Sequence, residues 1–388
     1  MSIALFSPFA LRKLKLANRI VVSPMCQYSA VDGCATDWHI VHWGQLLQSG
    51  AGMFTIEATA VSAVGRITHG CLGLYDDACE EALTKRLAIA RANAPAIPVA
   101  IQLAHAGRKG SSQVPWEGGQ LIPLAQGGWK PVAPSAIPQL PTEPPPAALD
   151  ISGLEQIRHE FVAAASRASR IGIDALELHC AHGYLLHEFL SPLSNHREDA
   201  YGGSRDNRVR FPLEVFAAVR DAWPQDRPMG ARISATDWVE GGWTIDDSIV
   251  LAERLKAAGC DWIDVSSGGI SPAQKIPLGP GYQVPLARAI RRATSIATMA
   301  VGLITAPKQA ERIVASGDAD LVSMARAMLW DPRWPWHAAA VLEAQIQAPK
   351  QYWRSPPRET PNVIAHAKVG MVVTCFADTP LRPRTAPW

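Results

Sequence analysis

The chain lacks any long uncharged apolar stretch, and no run approaches the roughly 18 apolar residues that cross a membrane. Its opening segment, MSIALFSPFALRKLKLANR, has no apolar core ahead of a small-residue cleavage site, so no secretory leader is expected. A charge excess is missing as well. There are 37 Lys and Arg against 35 Asp and Glu, for a formal net charge of +2, which argues against the basic stripe of a nucleic-acid binder. Paired cysteines are absent: Cys26, Cys34, Cys71, Cys79, Cys180, Cys260 and Cys375 are odd in number, widely spaced and never in CxxC. Neither a disulfide framework nor a structural zinc site is expected, and a reducing, cytoplasmic setting is. No apolar run leads into a GxGxxG turn, the usual fingerprint of an open dinucleotide-binding sheet. What is present is apolar mass. The 388 residues are 48% hydrophobic with a mean hydropathy of +0.01, which excludes a disordered polymer and supplies a large core.

Eight short apolar runs alternate with longer helix-patterned segments. The runs are residues 20–24, 53–58, 98–103, 175–179, 229–233, 262–266, 298–303 and 320–324. Helix starts are marked between them. Ser152-Gly-Leu-Glu155 reads as a capping box ahead of Ile157, Phe161, Val162 and Ala165 on one face, and Thr244-Ile-Asp-Asp247 repeats the pattern before Val250, Leu251 and Leu255. Thr305-Ala-Pro307 places a proline in a first turn. Strands apolar on both sides and separated by helices imply parallel pairing with right-handed crossovers. The prediction is α/β: a single (β/α)8 TIM barrel over residues 1–358, with a long loop after the third strand and a C-terminal extension. That loop, Gly107–Asp150, is rich in Pro and Gly, and Trp116 and Trp129 are expected to pack it down. Residues 359–388 are expected to be extended or disordered.

A barrel places its chemistry at the C-terminal ends of its strands. There stand Ser23-Pro24-Met25-Cys26-Gln-Tyr28, then Ala60, then Gln102 with His105-Ala-Gly-Arg108, then Glu177-Leu-His179-Cys-Ala-His182-Gly-Tyr184, then Arg232, Gly302 and Ala325-Arg326. On a continuing strand His179 and His182 would face opposite ways. They converge only if the strand stops near His179 and turns, which Gly183 permits. Two imidazoles can donate to an oxygen gaining charge, and a tyrosine stays protonated at neutral pH and can give up its proton. That set suits reduction of a C=C bond beside an electron-withdrawing group. Gly302 and Arg326, after strands seven and eight, suit a phosphate. Arg232 sits in an apolar run and must meet a charge, either a bound group or a local carboxylate. A metal-dependent hydrolase using His179, His182 and Glu177 is an alternative, as is a flavin-binding redox sensor with Cys26 as its oxidisable thiol. A flavin reductase acting on RNA uridines would need a basic face that this charge balance does not supply.

Taken together these motifs resemble the Old Yellow Enzyme family of FMN-dependent ene-reductases, in its cysteine-containing, thermophilic-like branch that includes xenobiotic reductases. The resemblance spans residues 1–358 and rests on SPMCQY, EATAV, QLAHAGRK, ELHCAHGYLLHEFLSPLSNHR, YGGSRDNRVRF and PGYQVP. It implies an NADPH dehydrogenase activity in which NADPH or NADH reduces FMN and flavin N5 passes hydride to an α,β-unsaturated carbonyl or nitro compound. It places Ser23, Pro24, Met25 and Cys26 along the flavin, with Cys26 tuning its potential, and Ala60, Gln102 and Arg232 at its polar edges. Gly302, Ala325 and Arg326 would take the phosphate. The same resemblance gives His179 and His182 the substrate oxygen, Tyr184 the proton and Tyr28 the opposite wall. Gln351-Tyr-Trp-Arg354 is similar to a C-terminal motif whose arginine reaches a neighbouring subunit's site, implying a homodimer or homotetramer. Ala325 stands where relatives commonly carry glycine, and nothing in the family pattern matches the chain from Thr360 onward.

Overall fold

A computed structural model describes residues 3–94 and 97–365 of the chain. Eight strands, β1 (Ile20–Val22), β2 (Met53–Ala60), β3 (Val99–Ala104), β4 (Ala175–Cys180), β5 (Met229–Ser234), β6 (Trp262–Ser266), β7 (Ala297–Ala300) and β8 (Leu321–Met324), pair in parallel and close through β8–β1 into a barrel. All eight expected runs form strands. Apart from Ala297 every strand residue is buried, as continuous apolar runs covered on both faces require. The seventh stops three residues early, because Gly302 (φ +108) and Leu303 (φ +53) leave extended geometry.

The helices α1 (Asp37–Leu47), α2 (Asp77–Ala92), α3 (Ile151–Ile171), α4 (Arg210–Ala222), α5 (Ile245–Ala257), α6 (Val284–Thr294), α7 (Pro307–Ala315) and α8 (Trp334–Val341) accompany these strands. The Thr244 capping box forms as read, and Pro307 opens α7. The α3 start is a correction. Asp150, not Ser152, caps it, accepting from Gly153 N (2.7 Å) and from the Ser152 hydroxyl (2.9 Å). An aspartate one residue before the helix presents its carboxylate to the free amides of the first turn, which Ser152, already inside that turn, cannot do.

Alternation along each strand stacks the barrel interior in layers. The bottom layer is apolar: Val21, Met53, Ala100, Ala175, Trp262, Met299 and Leu321 pack with Leu11 and Leu16 of an N-terminal hairpin that plugs this end. Trp262 fits because its register partner is Gly230, where a Cβ would lie 2.1 Å from the indole. The layer above is polar and holds Gln102, Glu177, Arg232 and Asp264, all buried.

The long loop after β3 is held down at particular points. Trp129 donates from Nε1 to Val64 O (3.0 Å) and meets the Arg66 guanidinium. Trp116 is not packed down as expected; it stays 69% exposed and touches the edge of Tyr28, with ring centroids 5.7 Å apart. Arg108 binds the carbonyls of Ile137, Pro138 and Ile270, tying the loop to the β6 side. Within the expected tail, Val363 and Ile364 are buried against Ile346 through two backbone hydrogen bonds of 2.8 Å. Residues 366–388, on which most of the tail expectation falls, lie outside the described residues.

Replacing Gly230 by Ala forces a methyl into the Trp262 ring and is expected to cost about 1–3 kcal/mol, the usual penalty of overpacking. A lower thermal midpoint with an unchanged far-ultraviolet dichroism spectrum is the expected result.

Candidate active site at the barrel mouth

The end of β1 is clipped to the end of β8: Ser23 N donates to Met324 O (3.0 Å), and the Ser23 and Ser323 hydroxyls share a 2.6 Å hydrogen bond. The chain then runs across the mouth through Pro24, Met25 and Cys26. Its course is set by Glu57, which interrupts the β2 register and accepts from Gln27 N (2.8 Å), with His39 of α1 3.5 Å behind it. Burial, with Cys71 and Glu57 adding to it, holds the Cys26 thiol well above its ordinary pKa. Cys26 is therefore a protonated thiol, poorly suited to oxidation chemistry. Tyr28 turns with φ +52, and burial raises its phenol as well.

At β4 the strand does end as the convergence of the two histidines requires. His182 and Gly183 follow with φ +59 and +73. A side-chain residue in this left-handed region costs about 1–2 kcal/mol, so His182 is strained into place. The turn brings the His179 ring centroid within 5.1 Å of His182 and 4.9 Å of Tyr184. Hydrogen bonding assigns the His179 tautomer. Ala181 N donates to His179 Nδ1 (3.2 Å), which puts that proton on Nε2. His182 Nε2 lies 2.6 Å from Ser266 Oγ, whose hydroxyl also reaches Gln283 Oε1 (3.4 Å), the acceptor of the Ser267 hydroxyl (2.6 Å). Burial, followed by Arg232, depresses both imidazole pKa values well below normal. Burial raises Tyr184 well above its own. The trio is two neutral N–H donors and one neutral O–H.

Beneath them lies the polar layer. Arg232 Nε is 3.5 Å from Asp264 Oδ2 on the neighbouring strand, and Glu177 accepts from Gln102 Nε2 (2.8 Å) and Trp262 Nε1 (3.2 Å). Burial pushes Asp264 and Glu177 up, so the interior does not have to hold two full negative charges. The Arg232 charge faces a cleft of about 190 Å³ that runs past Ser23, Ser266 and Gly302 to Ala325 and the exposed Arg326. At Gly302 a Cβ would come within 2.8 Å of Gln283 Nε2, so only a bare backbone passes there. A guanidinium at one end of the cleft, a side-chain-free glycine along it and a second guanidinium at the other end fit an elongated group with a polar ring edge and a terminal phosphate. Arg232, Gly302, Ala325 and Arg326 all line this cleft.

Cys26, Ala60, His179, His182 and Tyr184 gather at the end of the barrel where the strands finish, with Arg232 beneath them, while Gln102 stays in the polar layer bonded to Glu177. Arg354 is not among them. It is exposed beyond a short turn, Lys350–Tyr352, that stacks on Trp336 of α8, and among the described residues it bonds to nothing at the mouth. One participant escaped the sequence reading: Lys109, which ends the QLAHAGRK motif. Its Nζ donates to His182 O (2.7 Å) and Gly269 O (2.5 Å) and lies 5.6 Å from the Tyr184 ring centroid. The motif was the available signal, although nothing in it says that the amine turns inward. Burial, then Arg108, lowers the Lys109 pKa to about 8. An unfolded lysine keeps its proton to about pH 10.4. Between these values the unfolded chain binds more protons, so this group adds stability as pH rises. The unfolding free energy of the wild type relative to Lys109→Met should therefore climb from pH 8 toward about pH 10 in denaturant titrations; a flat difference would mean that the amine ionises normally.

Residues 4–345 match the NADH:flavin oxidoreductase / NADH oxidase family. The chain is 45% identical over 356 residues to an NADPH dehydrogenase of Geobacillus thermodenitrificans (strain NG80-2), covering 91% of this chain and 99% of that one. It is 44% identical over 353 residues to an NADPH dehydrogenase of Listeria innocua serovar 6a, covering 90% and 98%. Among solved structures, morphinone reductase superposes with a TM-score of 0.71 at 26% identity over 89% of this chain and 91% of that one. A 2-naphthoyl-CoA reductase complex gives 0.77 at 25% identity over 88% and 52%. No helix among the described residues is long and apolar enough to cross a membrane. The chain belongs to the NADH:flavin oxidoreductase / NADH oxidase family, that of the Old Yellow Enzymes, and is an FMN-dependent oxidoreductase that draws its electrons from NADPH or NADH.

Proposed function

We propose that the chain reduces the C=C bond of α,β-unsaturated carbonyl or nitro compounds. The observation that carries this reading is the grouping of two neutral imidazoles and a protonated phenol at the barrel mouth, with the His179 ring 5.1 Å from His182 and 4.9 Å from Tyr184. FMN, when bound, would supply to the β-carbon the hydride that NADPH or NADH provides. His179 Nε2–H and the His182 ring hold the carbonyl or nitro oxygen, and their bonds strengthen as that oxygen gains charge. Because burial keeps both rings neutral, they donate without forcing a full positive charge into the mouth. Tyr184 gives its proton to the α-carbon. Arg232 holds positive charge beneath the cleft, and Asp264 fixes its direction. Tyr28, with Trp116 against it, closes the substrate side, and Cys26 borders the cofactor as a neutral thiol that tunes its potential. Arg354 serves the neighbouring subunit of a homodimer or homotetramer, which is consistent with its exposure in the single chain.

The other two readings find less support. A metal-dependent hydrolase needs a third ligand, but Glu177 is committed to Gln102 and Trp262, and among the described residues no three His, Cys, Asp or Glu side chains converge on a metal position. A Cys26 redox sensor needs an accessible thiolate, whereas this thiol is held protonated.

Anaerobic NADPH should bleach the yellow holoenzyme, and cyclohexenone should restore its colour. Replacing both His179 and His182 by Ala should leave flavin bound and slow recolouring by at least about 10²-fold, the usual loss on removing an oxyanion donor. Tyr184→Phe should slow recolouring about 10²–10⁴-fold, the scale of a lost general acid, without affecting bleaching. Unchanged enone turnover in the double histidine variant would sink the assignment.

A further inference from the structure

The peptide unit joining His182 to Gly183 is gripped on both edges. On one, the His182 carbonyl accepts from Lys109 Nζ (2.7 Å). On the other, Gly183 N–H donates to His187 Nδ1 (2.9 Å). His187 lies in the short helix Leu185–Leu190, and its Nε2 stands 3.0 Å from Asp237 Oδ1 in the segment after β5. The other Asp237 oxygen accepts from Ser191 Oγ (2.6 Å) and Trp243 N (2.7 Å). His187 and Asp237 are fully buried and touch neither the cleft nor each other's backbone, and the mechanism above uses neither.

The hydrogen bonds dictate the protonation. Gly183 N–H can donate only to a bare Nδ1, so the His187 proton is on Nε2, facing a carboxylate oxygen that has no other partner. Held this way, the peptide plane cannot turn over, and turning it would swing the left-handed His182 away from Ser266 and from His179. The bonds therefore fix where the His182 donor points, at a position whose backbone conformation is otherwise unfavourable.

We propose that Lys109 and the His187–Asp237 pair are positioning residues: they clamp the 182–183 peptide from opposite sides and so aim the His182 donor at the substrate oxygen. The proposal rests on the ene-reductase reading for its substrate, but the clamp itself can be read without turnover. Asp237→Asn is the decisive variant. Its amide oxygen can still serve Ser191 and Trp243, but its NH₂ then meets His187 Nε2, drives the proton to Nδ1 and evicts Gly183 N–H. The logic is that of a triad aspartate setting a histidine tautomer.

The test uses holoenzyme labelled with ¹⁵N in its histidine side chains. The imidazole whose signals vanish in His187→Gln should show a bare Nδ1 in the wild type and a bare Nε2 in Asp237→Asn. Bound-flavin absorbance should be retained, and the reoxidation rate constant with cyclohexenone should fall about tenfold or more, the scale of one misaimed hydrogen bond to a charged group. A protonated His187 Nδ1 in the wild type overturns the clamp, and so does a switched tautomer with undiminished reoxidation. If wild-type enzyme is not reoxidised by cyclohexenone at all, the substrate reading has failed, while the nitrogen signals still report on the clamp. Should Asp237→Asn not fold, Lys109→Met loosens the opposite edge. The same tenfold loss is then expected with the His187 tautomer unchanged, and full reoxidation in that variant overturns the proposal.

Discussion

Barrel closure is the constraint from which the rest follows. Eight parallel strands joined edge to edge leave alternate side chains facing a sealed interior, and this chain places an arginine and two carboxyls there. Such charges are costly to bury unless they are paired and hydrogen-bonded. The pairing is met across strands: Arg232 is the register partner of both His179 and Asp264, and Gln102 is that of Glu177. One positive charge remains directed upward into the cleft. The apolar plug of Leu11, Leu16 and Trp262 seals the opposite end, so a bound group can reach Arg232 only from the mouth.

That geometry also explains why the groups at the mouth are neutral. Desolvation acts on every group at the rim, and it disfavours whichever form is charged. It lowers His179 and His182 and raises Cys26 and Tyr184, leaving donors rather than ions. Neutral donors around an oxygen that gains charge favour the reacting state over the resting one. Backbone strain at His182 is stored in the same place, and surrounding hydrogen bonds from Ser234, Lys109 and His187 hold it.

Much of this was legible in order along the chain. The eight apolar runs marked the strands because parallel strands are buried on both faces, and the demand that function lie at their C-terminal ends located His179, His182 and Gly302. Thr244 and Pro307 announced their helices because caps act within a few residues. Asp150 was passed over because Ser152 offered a competing local pattern. Arg232 was recognised as needing a partner, but Asp264, which lies 32 residues further on, could not be chosen until the β5–β6 register existed. Trp116 was expected to pack because tryptophans usually do, yet the loop turns it outward over Tyr28.

The sequence by itself determined the strand count, the helix starts and the set of reactive side chains at the strand ends, since periodicity, capping and turn formation are local. Only the tertiary structure decided which nitrogen of His179 and of His187 carries the proton, that Lys109 points inward, and that His187 and Asp237 stand behind the 182–183 turn. Those depend on contacts between segments up to 160 residues apart, such as Lys109 with Gly269, and a tautomer or a burial-shifted proton has no meaning until the neighbours that set it are in place.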